Sequence, residues 1–431
     1  MKLHEYLDRL RANRSRLLER PTRFHRDTLR YDHSVYAAFD ITLEVLSPRA
    51  RRLMGILSFV HFSNFPRPLF SIAAKNKFRY QPYELLDQTP EVEESAQFLT
   101  ETLCPDGNWN EEELNELLDQ LQQYSLVMLV PMHAIVTLRF HPLAHGWARD
   151  RMSAKDQDKH RAAAVRLLAS GLDQDYYYYF DYLISHIHSF SPIWDTLHVN
   201  DQAAFTQILR FEGNSVELMA SWERIYQNVE ETLGVRNART AQAKLQLADA
   251  YGQDGDWGRM ERMEREVLAT LEELLGPEHL DTVYACANLA RTARGKRDFI
   301  EAVDLETKVL RVRIKKLGIW HKDTAGKDFY FEIYGLYLLI AAMMDLAYTF
   351  RYQARYADEQ GLVAGAVDVR TKVLGRSNVQ TVEAIQKLAE CHWIQRHHVE
   401  AEALQREVVR LSQILHGDNH LATVRAMEVR N

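Results

Sequence analysis

Apolar residues recur at helical spacing along most of the chain, and glycine and proline are sparse between them. Near the N-terminus, apolar side chains fall on a single helical stripe that comprises Leu3, Tyr6, Leu7, Leu10, Leu17 and Leu18. This spacing predicts an amphipathic α-helix. Ser47 and Pro48 open a further helix, with the serine as cap and the proline in the first turn. The pattern therefore predicts a mainly α protein.

Two short runs interrupt the helical pattern in the first half of the chain. VMLVPM (127–132) and AIVTLRF (134–140) are rich in β-branched residues and lie close together, which predicts one short β-hairpin. The helical stretch ELNELLDQLQQYSLV precedes the hairpin, and another helix is predicted after His141. This order of a helix, a hairpin and a helix is typical of a winged-helix unit.

The second half of the chain repeats itself. LGVRNART at residue 233 recurs as LGPEHLDT, LGIWHKDT, LGRSNVQT and HGDNHLAT, with the starts separated by 42, 42, 57 and 42 residues. Each segment ends in threonine and has histidine or asparagine three residues earlier, and Leu-Ala follows the threonine in the first four copies. We interpret each copy as a helical hairpin whose first helix is capped by an Asp/Thr pair. Stacked hairpins of this kind form a solenoid with a concave face.

The third copy contains fifteen additional residues, which we place near 325–344 and interpret as a helix elongated or added within the array. They include most of the apolar stretch 329–350, whose longest charge-free run has twelve residues. At about 1.5 Å per residue, such a run cannot cross about 30 Å of hydrocarbon. The stretch therefore predicts a buried helix and no membrane span.

Composition and charge narrow the class of protein. The N-terminal residues are too charged for a signal peptide, and three distant cysteines without a CxxC pair fit a reducing, cytoplasmic environment. Residues 1–79 carry sixteen Lys/Arg and seven Asp/Glu, whereas residues 80–138 carry twelve acids and no Lys or Arg. Because the two segments can neutralise one another, the basic arm is weak evidence for nucleic-acid binding.

The 42-residue copies resemble the tetratricopeptide repeats of kinesin light chains over about residues 233–431. The resemblance implies that the concave face binds a protein or a peptide. In such repeats the residue before the shared Leu-Ala faces the groove, often as an asparagine that holds a peptide backbone. The candidate groove residues are therefore Gln246, Asn288, Asp345 and Lys387. Asp345 and Lys387 are expected to favour ligand charges of the opposite sign.

The first half is similar to a second family, in the segments YLDRLRANRSRLLER, SVYAAFDITLEVLSPRARRLMGILSFVHF, LLDQLQQYSLV and FHPLAHGWARDRM, in that order. This is the order in fungal NB-ARC proteins, the NOD-like signalling ATPases of the STAND class that end in kinesin-light-chain-like repeats. The resemblance implies a helical ARC-like subdomain over 1–80, a winged-helix-like subdomain over 81–155, and a helical linker or degenerate repeat over 156–232. By the same resemblance, His141 corresponds to the histidine that approaches the phosphates of bound ADP.

The chain has no GxxxxGK[ST] phosphate loop, since neither Gly295-Lys296 nor Gly326-Lys327 has the upstream glycine or the following Ser/Thr. We therefore expect no cofactor, and ADP or ATP would bind only if a phosphate-loop domain were supplied upstream. On this interpretation His141 is the remnant of a nucleotide sensor. The chain is expected to be a remnant, a fragment or the product of a truncated gene.

Catalytic and metal-binding interpretations have less support. His141 and His145 lie four apart, but Pro142 makes His141 a helix cap, and a third metal ligand is not evident. The sequence has no GxSxG motif and no cysteine with a local activating pattern, so we expect no catalytic residues, although an enzyme of unrecognised type stays an alternative.

The preferred hypothesis is a non-catalytic signalling scaffold derived from a STAND-type ATPase, with a protein or peptide partner and with self-association left open. The main alternative is a stand-alone peptide or cargo adaptor similar to kinesin light chains. A nucleic-acid-binding regulator that uses the winged helix is a further alternative.

Overall fold

The computed structural model describes residues 39, 42–79, 82–132, 135–172, 179–317, 329–418 and 420–428. The chain divides into two compact units, residues 1–235 and 236–431. The prediction of a mainly α fold with a repeat solenoid is confirmed, and one small sheet accompanies the helices. The described residues include no helix that is long and apolar enough to cross a membrane. The helix predicted over 3–18 lies outside the described residues.

The first unit contains nine described α-helices and one sheet. The helices are α1 (Pro48–Leu57), α2 (Pro68–Lys75), α3 (Pro90–Leu103), α4 (Glu111–Gln123), α5 (Pro142–Asp150), α6 (Ala154–Ser170), α7 (Phe180–His188), α8 (Val199–Glu212) and α9 (Ser215–Leu233), with a 3-10 turn at Ser191–Thr196. Helix α1 begins as predicted, because the Ser47 hydroxyl accepts a hydrogen bond from the Ala50 backbone N–H at 3.2 Å.

The sheet has three strands, β1 (Phe65–Pro66), β2 (Val127–Met132) and β3 (Ile135–Phe140), in the order β1-β3-β2. The predicted hairpin of β2 and β3 is confirmed, with antiparallel register from Val127↔Phe140 to Met132↔Ile135. Strand β1 was not predicted, because two residues are too few to show an alternating pattern. Since β1 precedes residue 80 and β3 follows it, the sheet combines residues from both predicted subdomains.

A buried ion pair joins two helices of the first unit. The guanidinium of Arg166 in α6 donates a hydrogen bond to the carboxylate of Asp201 in α8 at 2.5 Å, and both residues are almost fully buried. At the start of α8, the Asn200 amide oxygen accepts from the backbone N–H groups of Leu85 and Leu86 at 2.9 and 3.0 Å. These contacts fix α8 against α6 and against the segment before α3.

The second unit is built from helical hairpins. The first helix of each copy is α10 (Ala238–Gln253), α12 (Leu280–Gly295), α14 (Phe329–Tyr352) and α16 (Val379–Ile394); the second is α11 (Trp257–Leu275), α13 (Phe299–Leu317), α15 (Tyr356–Leu374) and α17 (His398–His416). A short helix α18 (Leu421–Glu428) opens the fifth copy. Buried apolar residues of neighbouring helices form a core that continues across the first three copies.

The repeated threonine does not cap the first helix, so this prediction is wrong in the described copies. The cap is the histidine or asparagine three residues earlier: the side chains of Asn237 and Asn378 accept from backbone N–H groups at 2.8 and 2.9 Å. Thr282 instead lies buried inside the first turn and donates to the backbone oxygen of Leu271 in the preceding helix at 3.3 Å. The threonine therefore connects one copy to the copy before it.

The third copy has the elongated first helix that the insertion predicted. Helix α14 has 24 residues, whereas the other three first helices have 16 each. Among its described side chains, Ile340 is 4% exposed and packs with Ala366 and Val369 of α15. The buried apolar residues between Leu339 and Phe350 are therefore part of the packed array. Residues 325–328 and the side chains of 329–335 lie outside what the structure describes.

Candidate functional site

The four predicted groove residues occupy equivalent positions on the first helices α10, α12, α14 and α16. The side chains of Asp345 and Lys387 are 52% and 51% exposed, and Gln246 is half-buried. Asn288 is only 8% exposed, although by resemblance it was the residue expected to hold a peptide. Three of the four candidates are therefore open to a ligand, and Asn288 offers it little surface.

The two charged candidates already have partners within the array. The carboxylate of Asp345 accepts a hydrogen bond from Arg294 of α12 at 3.1 Å, and the Lys387 ammonium donates to Glu390, one turn further along α16, at 3.0 Å. A ligand charge at either position must therefore compete with an existing ion pair. The simple expectation that each residue attracts the opposite charge does not take this pairing into account.

A second row of side chains lies one turn further along the same helices and was missed from the sequence. It consists of Asp249, Arg291, Tyr348 and Glu390, each three residues after a predicted groove residue. Arg291 and Asp249 form an ion pair at 3.3 Å between α12 and α10. The 47% exposed ring of Tyr348 lies 5.6 Å below the Arg294 guanidinium. The helical period was sufficient to predict this row once the first row had been assigned.

Buried carboxyl groups lie beneath this face, on the second helices. Glu264 of α11 is 1% exposed and lies beside Thr292 of α12, and burial raises its pKa from the usual 4.5 to about 7. Glu306 of α13 is equivalent; burial raises its pKa to about 7 as well, against the opposing effect of Arg294, which donates to it at 2.7 Å. These carboxyl groups are consequently partly protonated near neutral pH.

His141 lies at the start of α5, where Pro142 is the first helical residue, as predicted. Its side chain is exposed and makes no capping hydrogen bond, and the edge of its ring faces Phe39 at 5.8 Å between ring centroids. Its assignment as a nucleotide sensor stays a prediction.

His145 points in a different direction from His141. It is buried and donates to the backbone oxygen of Val60 at 2.8 Å, and burial lowers its pKa to about 4. A second buried histidine, His186, accepts from the backbone N–H of His61 at 3.1 Å. Within the described part of the chain, no three His, Cys, Asp or Glu residues are grouped as metal ligands. The described cysteines Cys104, Cys286 and Cys391 are buried thiols.

Comparison with known families identifies the repeats. The tetratricopeptide repeat family matches residues 240–281, 282–323 and 381–422, and each segment has 42 residues, the spacing predicted for most copies. The second unit therefore contains tetratricopeptide repeats. A comparison with the curated proteins finds no match.

Several solved structures are similar to this chain. A putative kinesin light chain with nearly identical TPR-like repeats from Podosopora anserina is 18% identical, with a TM-score of 0.44, over 51% of this chain and 96% of that chain. BtubC (BKLC) from P. vanneervenii is 14% identical, with a TM-score of 0.44, over 59% and 93%. A signal transduction ATPase with numerous domains (STAND) with a tetratricopeptide repeat sensor, from Pyrococcus horikoshii, is 13% identical, with a TM-score of 0.31, over 100% and 67%.

Proposed function

We propose that this chain is a non-catalytic interaction scaffold that binds a protein or a peptide along the exposed face of the first repeat helices. The observation that carries the proposal is the pair of parallel rows on α10, α12, α14 and α16, which contain polar and charged side chains and one aromatic ring. Stacked repeats commonly bind extended ligands on such a face, since successive helices present side chains at regular intervals.

The scaffold is further proposed to derive from a STAND-type ATPase. In the first unit, α4, the hairpin and α5 follow one another in winged-helix order, and the strand order β1-β3-β2 is compatible with that assignment. His141 is exposed at the start of α5 and makes no capping hydrogen bond there. A histidine that once contacted a nucleotide is expected to keep such an exposed position, and this supports the proposal. Because β1 pairs with β3, the winged-helix-like subdomain would begin before residue 81, near α1.

The alternative of a stand-alone cargo adaptor uses the same face and differs only in the partner. Binding through the winged helix predicts a different result, namely salt-dependent binding of DNA by the chain. The acidic segment 80–138 opposes this second alternative, since it contains no Lys or Arg.

A double substitution tests the binding face. Asn288→Ala with Lys387→Ala should weaken capture of the chain's partners from a cell extract, because both residues belong to the proposed row and the exposed Lys387 contributes most of their accessible surface. The matched control is Glu400→Ala with Arg406→Ala on the exposed side of α17. Melting curves of both variants establish that the repeats stay folded. Recovery of the same partners by the Asn288/Lys387 variant and by the wild-type chain would exclude this face as the binding site.

A further inference from the structure

A cavity of about 460 Å³ opens where the first three copies meet, at the C-terminal ends of their first helices. Four aromatic side chains line it, Trp257, Phe299, Tyr348 and Tyr352. The rings of Phe299 and Tyr352 are stacked at 5.1 Å, and the hydroxyl groups of Tyr348 and Tyr352 lie 2.8 Å apart. Asp249, Arg291 and Tyr348 of the second row also line the cavity. Its volume is within the range of small-ligand sites, about 300 to 1,000 Å³.

Gly295, the last residue of α12, lies in the wall of the cavity. Gly295 corresponds to Gln253, Tyr352 and Ile394 in the other copies. A Cβ atom on Gly295 would lie 3.4 Å from the ring of Trp257, so this ring covers the glycine closely. Trp257 is nevertheless 45% exposed, which leaves part of its surface available to a ligand. A large side chain at position 295 would enter the space that the cavity occupies.

The charged groups of the cavity favour an anion. Three arginines and the carboxylate of Asp249 line it, and two of these arginines are paired with carboxylates. Arg291 is paired with Asp249, and Arg294 donates to Glu306 and Asp345. Arg297 is exposed and has no ion pair within the described part of the chain. Its backbone is left-handed, with φ of 66°, in the turn between α12 and α13.

We propose that this cavity binds the C-terminal residue of a peptide when that residue is aromatic, with the ring among the aromatic side chains and the terminal carboxylate on Arg297. The proposal rests on the proposed function, since it assigns one end of the ligand on the first-helix face. Ring and carboxylate must enter the same cavity, and a C-terminal aromatic residue carries both within one residue. Aromatic rings in contact and a charge-assisted hydrogen bond to guanidinium supply the affinity.

Labelled pentapeptides test the two parts of the ligand separately. The probes are fluorescein-linked Gly-Ser-Gly-Ser-Phe as the free acid, the same peptide with an amidated C-terminus, and a free acid that ends in leucine. Fluorescence anisotropy with the full chain should give the tightest binding for the phenylalanine acid. Loss of one charge-assisted hydrogen bond should weaken the amide about tenfold. Equal binding of acid and amide, or of phenylalanine and leucine, would overturn the proposal.

Two substitutions with matched controls test the residues. Arg297→Ala should weaken the phenylalanine acid about tenfold and leave the amide unchanged, because only the acid carries the charge that Arg297 binds. The control is Arg396→Ala, since Arg396 occupies the same left-handed turn in the fourth copy, with φ of 63°, and Ala354 occupies it in the third. If Arg297→Ala weakened acid and amide equally, the assignment of the carboxylate would be wrong.

Gly295→Ile fills the cavity with the residue found at the equivalent position 394 and should abolish binding of the phenylalanine acid. Gly361→Ile is its control, because Gly361 is a helical glycine that faces open space. Pull-downs with Gly295→Ile separate the two proposals. Retention of the partner by Gly295→Ile, together with its loss from the Asn288/Lys387 variant, would reject the cavity and keep the binding face. Retention by both variants would reject the binding face as well.

Discussion

The buried carboxyl of Glu264 gives the array a stability that depends on pH, and replacement by glutamine tests this. Glutamine has nearly the same shape and cannot ionise. The fourth copy already has a glutamine at the equivalent position, where Gln405 donates to the backbone oxygen of Ala426 at 2.6 Å. Glu264→Gln therefore changes the ionisation of this site without introducing a side chain that the repeat does not accommodate.

The expected size follows from the raised pKa of Glu264. In the unfolded chain the carboxyl loses its proton around pH 4.5, whereas burial raises its pKa in the folded chain to about 7. Between these values the unfolded state binds fewer protons than the folded state, so the free energy of unfolding decreases as pH rises. The full difference corresponds to at most about 3 kcal/mol above pH 7. In the glutamine variant, the free energy of unfolding does not decrease in this way as pH rises, because glutamine does not ionise.

Urea unfolding followed by circular dichroism at pH 5 and pH 8 measures the effect. The variant should be as stable as the wild-type chain at pH 5, within about 1 kcal/mol, and more stable at pH 8, by up to about 3 kcal/mol. The control is Glu400→Gln, since Glu400 is exposed on α17, and it should change little at either pH. A Glu264→Gln variant that loses stability at pH 8 would refute the reasoning, because it would show that the charged carboxylate stabilises the fold.

Three further outcomes are expected. Asp201→Asn should lower the free energy of unfolding by about 3 kcal/mol, because it removes the buried carboxylate charge that pairs with Arg166. Asp195→Asn in an exposed pair should change it by less than about 1 kcal/mol. Ile340→Ala should lower the free energy of unfolding by about 2 to 4 kcal/mol, measured by urea unfolding, and Ile414→Ala at an exposed position should lower it much less. Equal effects of the two substitutions would place Ile340 outside the packed array. Burial lowers the pKa of His145 in the folded chain to about 4, so the stability contributed by the neutral imidazole is present above pH 6.5 and is lost as pH falls towards 4. NMR titration should show this histidine still neutral at pH 5.5.

Local features of this fold were predictable from the sequence. The helix cap at Ser47-Pro48 and the hairpin of β2 and β3 each depend on contacts within a few residues of sequence. Both were therefore predicted correctly. The 42-residue period likewise identified the repeats before any contact was known. In the same segments, the cap was assigned to the Asp/Thr pair, whereas His279 is the cap and Thr282 is buried. Threonine is a common capping residue, and the sequence does not show whether its side chain faces the helix end or the core.

Contacts between distant residues were not predictable in this way. Arg166 and Asp201 lie 35 residues apart, and no pattern in the sequence links them. The position of the candidate face on the first helices was inferred from the sequence. The burial of Asn288 could not be inferred, because it depends on how α12 packs against its neighbours. The cavity beside Gly295 was missed because a missing side chain is informative only once the ring of Trp257 is known to cover it.

The threonine that is buried in four of the copies, all within the described residues, has a consequence for how such an array can change over generations. Thr240, Thr282, Thr381 and Thr423 are all buried at the same place in their copies, and Thr282 and Thr423 bond to a carbonyl of the preceding helix. A gene duplication that inserts one 42-residue copy would therefore create two new junctions that are already complementary. In the third copy, the elongated helix α14 is followed by a junction that keeps the buried threonine, Thr381.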